Sequence, residues 1–195
     1  MSKVIANMSM SLDGVVSHPE SGVEHLFGWY FRGDVLVETG HDDFDFKLTE
    51  TDADLVRDAM TSIGAIVYGR RTCDEANGWN GSHPMGCPVF VVTHNPPRDW
   101  PHEDVRFVTE GVPSAIERAK AAAGGRQVAV GSPDIVRQCL DAGLLDEIRI
   151  DLVPVLLGQG TRFFGEIARS PIHLGDPEII PGAGVTHLHY EVKTR

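Results

Sequence analysis

Four short runs constrain what this 195-residue chain can fold into: Ala65–Tyr68, Pro88–Thr93, Gln127–Val130 and the longer Glu147–Leu157. They are apolar with little interruption rather than alternating, the mark of strands covered on both faces. Helical segments fall before and between them, at 51–62, from Arg70 to Asn77, at 113–123 and at 133–141. Thr49 or Thr51 can cap the first helix, Asp52 and Asp54 favour its positive end, and Leu55, Ala59 and Ile63 mark its apolar side. Pro113 fits a first helical turn, with Gly124-Gly125 as the stop. Val4 to Met10 adds a strand that ends at Asp13-Gly14, and Val105–Val108 adds another. Segments 178–180 and 185–192 alternate like a closing hairpin. Residues 18–50 read as a long loop excursion with a short helix or strand near Gly33–Glu38. The pattern predicts one α/β domain over 1–195, with a largely parallel central sheet and antiparallel strands at one edge.

The formal charge of −11 argues against broad contact with nucleic-acid phosphates or acidic lipid heads, and makes any anionic ligand depend on a local basic pocket. No apolar run reaches the roughly 18 residues of a membrane span. The opening MSKVIANMSMSLDG has no apolar signal core and enters a strand pattern directly. Cys73, Cys87 and Cys139 are odd in number and lack CxxC spacing, so free thiols in the cytoplasm are expected.

The candidate chemistry sits in turns. Gly69-Arg70-Arg71-Thr72 lies where a strand meets a helix, a place where guanidiniums, a hydroxyl and helix amides can cradle a phosphate. An ordinary surface turn with solvated arginines is the alternative. Gly131-Ser132-Pro133-Asp134 is a second such turn, in which Ser132 fits an N-cap and Pro133 a first helical residue. Good helix-start chemistry alone explains it, and the Asp134 charge disfavours an anion unless that carboxylate points away. Thr93-His94 ends a strand at a typical ligand position, and Ser11-Leu12-Asp13-Gly14 is on spacing alone a plain turn. His18, His25 and His41, among Glu20, Glu24, Asp42, Asp43 and Asp45, show no metal-ligand spacing, so no metal is expected. Neither a GxSxG elbow nor a GxGxxG fingerprint is present.

Taken in order, these turns resemble the dihydrofolate reductase superfamily, in the branch related to the reductase domain of the riboflavin-biosynthesis deaminase–reductase. The likeness is carried by Ser11–Gly14, Gly69–Thr72, Val92–Pro96 and the stretch from Gly131 to Phe164 with its GLLDEIRIDLVPVLLGQG run. It implies a dihydrofolate reductase-like three-layer fold, with helices on both faces of a mostly parallel sheet and a C-terminal antiparallel hairpin. It also implies a homodimer and NADPH as cofactor. By the same resemblance Arg70 meets the 2′-phosphate, Arg71 and Thr72 lie by the pyrophosphate, and Thr93 and His94 flank the adenosine. Gly131, Ser132, Pro133, Asp134, Ile135 and Val136 wrap the pyrophosphate and nicotinamide ribose. Ser9 and Asp13, with Leu156, Leu157, Gly158 and Gly160, come near the nicotinamide and a small-molecule substrate, with Asp13 as the candidate catalytic group. Trp29, Tyr30 and Phe31 either stack on substrate or pack the excursion onto the core. Relatives carry Gly-Gly where this chain has Gly131-Ser132, and riboflavin-pathway reductases carry a glutamate where Val130 stands. The zinc deaminase half is missing, and the acidic helix residue of folate reductases has no secure counterpart. The expected activity is therefore hydride transfer to a small, heterocyclic-type substrate. A riboflavin-pathway or folate reductase and a non-catalytic nucleotide-binding dimer are the alternatives.

Overall fold

The computed structural model describes residues 2–39, 41 and 45–193, so the predicted acidic neighbours Asp42 and Asp43 lie outside the described residues. β1 (Val4–Ser11) is followed by β2 (Val15–Ser17), α1 (Glu24–Phe27), β3 (Val35–Val37) and β4 (Phe46–Leu48). Then come α2 (Glu50–Ser62), β5 (Ile63–Gly69), α3 (Arg70–Glu75), β6 (Val89–Val92) and β7 (Val105–Val108). The chain continues through α4 (Val112–Ala123), β8 (Gln127–Val130), α5 (Pro133–Ala142) and β9 (Glu147–Val153). It closes with β10 (Thr161–Arg162), β11 (Glu178–Gly182) and β12 (Val185–Glu191).

The main sheet runs β11-β12-β9-β1-β8-β5-β6-β7. It is parallel from β9 to β7, and antiparallel only where β12 joins β9 and β11. Alternate residues separate two cores. Val4, Ala6, Val67, Val128 and Ile148 face α4 and α5, while Ile5, Ile66 and Ala129 face the other way, toward Ala59 of α2. Helices thus cover both faces, as the continuous apolar runs require.

Three local expectations change. The strand predicted over Glu147–Leu157 stops at Val153, because Pro154 has no N–H for a ladder and the amides of Leu157 and Gly158 turn to Asp13 instead. The buried side of α2 is Asp52, Ala53 and Val56, with Leu55 and Ala59 only half-buried. Ile63 leaves the helix altogether and begins β5. The 18–50 excursion holds more structure than a loop. Besides α1, β3 and β4 it carries a 3-10 turn, Gly28–Phe31, which buries Trp29 with Leu26, Val37, Phe46 and Leu48.

Candidate functional site

Because β1, β5, β6, β8 and β9 run the same way, their carboxyl ends open on one edge. The turns carrying Asp13, Gly69, Thr93, Gly131 and Leu157 gather there, where open α/β sheets bind ligands.

Ser132 joins two of these turns. Its Oγ accepts the Gly69 N–H at 2.9 Å and shares a 2.8 Å hydrogen bond with Thr72 Oγ1. The expectation that this hydroxyl caps α5 is corrected: Ser132 occupies the N-cap position but makes no side-chain cap bond. The first-turn amides of Asp134 and Ile135 therefore keep their donors for something else. Asp134 does point away, as an anion would require. Its Oδ1 accepts from Arg137 Nη2 at 2.6 Å and its Oδ2 from Gln138 Nε2 at 2.8 Å. Ser132 has an ordinary φ of −123°. Gly131 is needed for a different reason, since a Cβ there would lie 2.0 Å from Tyr68 Cε1. Val136 offers a ligand nothing, because its side chain is fully buried and its amide bonds Ser132 O. Ile135 is likewise buried, so only its backbone can serve, and Pro133 brings no N–H. Val130 is fully buried in the core under α4 and α5, so the substrate distinction drawn from that position does not rest on a pocket residue.

Arg70 and Arg71 are both engaged. Arg70 donates from Nε to Asp74 Oδ1 and from Nη1 to the Asn95 carbonyl, each at 2.7 Å, which ties α3 to the turn that contains Thr93 and His94. Thr93 Oγ1 accepts the Asn95 N–H at 3.2 Å, and His94 is exposed. Arg71 donates to Thr161 Oγ1 at 3.0 Å and pairs with Glu75 at 3.5 Å. Exposed pairs of this kind contribute little, so an incoming phosphate can displace either carboxylate.

Asp13 serves the loop after β9. Its carboxylate accepts from Ser11 Oγ at 2.5 Å, from the Leu157 N–H at 3.1 Å and from the Gly158 N–H at 2.6 Å. The Ser11 hydroxyl and these two amides hold its pKa down at about 2, so it is an anion at neutral pH and no proton donor. Gly160 closes the same loop against the backbone of Ser17, where a Cβ would meet the carbonyl oxygen at 2.2 Å. Leu156 projects outward, 70% exposed.

Two polar constellations here were not anticipated from the sequence. In the first, Tyr68 Oη lies 3.3 Å from His83 Nε2, and Trp79 stacks on the Tyr68 ring with centroids 4.9 Å apart. The Met85 N–H donates to His83 Nδ1, and burial pushes the His83 pKa down to about 3. A neutral ring accepting at Nδ1 carries its proton on Nε2, which donates to Tyr68. The Tyr68 hydroxyl hydrogen is left for another acceptor. Trp79 reaches its place through consecutive left-handed residues from Asn77 to Gly81, a strained course for Asn77, Trp79 and Asn80.

The second constellation lies deeper. His187 donates from Nδ1 to Asp151 Oδ1 at 2.7 Å and from Nε2 to Asp52 Oδ1 at 3.2 Å. Asp52 is fully buried, and its Oδ2 also accepts from Thr49 Oγ1 at 2.7 Å and the Ala183 N–H at 3.2 Å. Burial opposes charge on His187, but the hydrogen bonds and charges of Asp151 and Asp52 outweigh it and raise its pKa. Trp29 packs edge-on against this imidazole and donates Nε1–H to Ser9 Oγ at 3.2 Å. Trp29 therefore fastens the excursion to the sheet, and Tyr30 stacks between it and Phe46. A signal for this cluster did exist: Asn7 and Ser9 in β1, Arg149 and Asp151 in β9, and His187 in β12 form a polar stripe on interior strands. Among the described residues no group of three or more His, Cys, Asp or Glu is arranged to hold a metal ion.

Residues 2–179 match the model of the RibD C-terminal domain family. YwjB of Bacillus subtilis strain 168, an uncharacterized protein, is 22% identical over 165 residues, which cover 85% of this chain and 84% of that one. Among solved structures, a Shewanella sp. PV-4 protein provisionally assigned to riboflavin biosynthesis superposes with a TM-score of 0.72 at 23% identity. The match covers 98% of this chain and 99% of the other. The Enterococcus faecalis dihydrofolate reductase complexed with NADP(H) gives a TM-score of 0.56 at 17% identity, covering 98% and 97%. The Thermotoga maritima deaminase–reductase gives 0.62 at 13%, covering 98% of this chain and 57% of that protein. The fold is dihydrofolate reductase-like, and the chain belongs to the RibD C-terminal domain family.

Proposed function

We propose that this protein is an NADPH-dependent reductase of a small, heterocyclic-type substrate. The observation that carries the reading is the Ser132 hydroxyl, which holds Gly69 and Thr72 against the start of α5 while leaving the first-turn amides of that helix uncapped. Two phosphate-type subsites thereby share one edge of the sheet. The amides of Asp134 and Ile135, with Arg71 and Thr72, would hold the pyrophosphate, and Arg70 the 2′-phosphate end. When bound, the cofactor supplies a hydride. Asp13 fixes the Leu157–Gly158 loop as one wall of the site. The Tyr68 hydroxyl, backed by His83, is a hydrogen-bond donor for an acceptor atom of the substrate, and the His187 imidazolium holds a proton beneath Ser9 and Trp29.

A melting-temperature shift tests the reading at its first step. NADPH at 100-fold its dissociation constant stabilises by about 2.7 kcal/mol. Absence of any shift with NADPH or NADP ends the proposal. Arg70→Ala should cost NADPH affinity far more than NADH affinity, and equal losses would remove only the 2′-phosphate role.

A further inference from the structure

At the opposite edge of the sheet, where α5 ends and β12 finishes, lies a cavity of about 680 Å³. That volume is in the range of small-molecule sites. Its floor is apolar, made by Leu140, Leu145, Ile172, Leu174 and Val192 at the margin of the main core. Its rim carries Arg169, His173 and Lys193.

The charge of this lining runs against the rest of the molecule. The chain has 28 acidic residues to 17 Lys and Arg, yet among the described residues no Asp or Glu lines the cavity. None of the three rim groups forms an ion pair with a described residue. Of the carboxylates that adjoin lining residues in the chain, Asp146 accepts the Val4 N–H at 2.8 Å, Glu191 forms no ion pair with Lys193, and Asp141 is committed elsewhere. Its Oδ1 accepts the N–H groups of Ala168 and Arg169 at 2.8 and 3.2 Å, and its Oδ2 faces Arg137 at 3.5 Å. Those bonds anchor the backbone of the rim and leave the Arg169 guanidinium beside Gly143, the C-cap of α5. A helix C-terminus stabilises a cation without neutralising it. Unneutralised positive charge above a hydrocarbon floor is the chemistry that takes a charged head on an apolar tail.

We propose that this cavity binds an amphipathic oxyanion, a carboxylate or phosphate head on a short hydrocarbon chain, with the head between Arg169, His173 and Lys193. The site lies far from the turns around Ser132 and does not depend on the reductase reading.

Octanoate, octyl phosphate and 1-octanol are the probes, titrated into the whole protein by calorimetry and by amide NMR. Octanoate should bind saturably, with shifts centred on Gly143, Leu145, His173 and Leu174, and 1-octanol should bind about tenfold more weakly. Arg169→Gln and Lys193→Glu together should weaken octanoate by about tenfold or more, while the melting shift with NADPH stays at the wild-type value. The order of the two anions assigns the head group, and either order supports the proposal. It is overturned if octanoate and octanol bind alike, if both single variants keep wild-type affinity, or if the shifts gather at the Ser132 edge.

Discussion

Replacing Asp52 with Asn probes the buried Asp52–His187–Asp151 cluster with almost no change of shape. The wild-type carboxylate accepts three hydrogen bonds, from His187 Nε2, Thr49 Oγ1 and the Ala183 N–H. An amide has one oxygen and one NH2, so whichever way Asn turns, its NH2 either meets the Ala183 N–H or forces His187 to give up its Nε2 proton. Asp52 is fully buried and His187 is 3% exposed, so water cannot repair the mismatch. Removing one member of a buried, hydrogen-bonded charge pair costs about 3–5 kcal/mol. Urea unfolding at pH 6 should show a loss of that size at unchanged m-value. The cost should also depend on pH in a definite direction. The folded pKa of His187 is raised above the unfolded value of about 6.5, so its stabilisation is complete below pH 6.5 and is lost as pH rises through the folded pKa. The wild type should therefore lose stability above pH 6.5 more steeply than Asp52→Asn does. A variant within 1 kcal/mol of wild type, or parallel pH profiles from 6 to 9, would refute the charged-imidazole account.

Other outcomes follow from the same geometry. Gly131→Ala drives a methyl group into Tyr68; overpacking of this kind costs about 1–3 kcal/mol, and the melting temperature should fall by roughly 2–4 °C for each kcal/mol. Asp13→Asn removes a carboxylate that two backbone amides share, so limited proteolysis should cut the 154–160 segment faster than in wild type. With its pKa at about 2, the Asp13 anchor should persist unchanged from pH 4 upward in the wild type. Cys87 and Cys139 are buried, with thiols pushed up to about 11 and about 12, so a maleimide should label neither at pH 7 until the protein is unfolded.

The sheet was legible because its strands are local objects. PVFVVT and QVAV announce buried strands by composition alone, and Pro113 and Gly124 bracket α4 where it occurs. The turns at Gly69 and Gly131 were legible as strand-to-helix junctions for the same reason. What one hydroxyl does between them was not, because Ser132 is as good an N-cap in sequence as it is a bridge in space. Asp52 shows the difficulty most clearly. In the first turn of α2 it looks like a charge placed for the helix dipole, whereas its partner His187 stands 135 residues away in the closing hairpin. No local window contains both. Trp29 illustrates the remaining gap: an aromatic in a long excursion serves substrate stacking or loop packing equally well until its N–H is seen to reach Ser9.

The bond network of Ser132 has a thermodynamic consequence. Since one oxygen sets the spacing between the Gly69–Thr72 turn and the start of α5, the two turns cannot adjust independently. A ligand fragment that orders either turn has already met part of the conformational cost of ordering the other. The halves of a dinucleotide, offered as separate molecules, should then bind with mutual enhancement, each raising the affinity of the other by the same factor. In Ser132→Ala that reciprocity should vanish even where each half still binds.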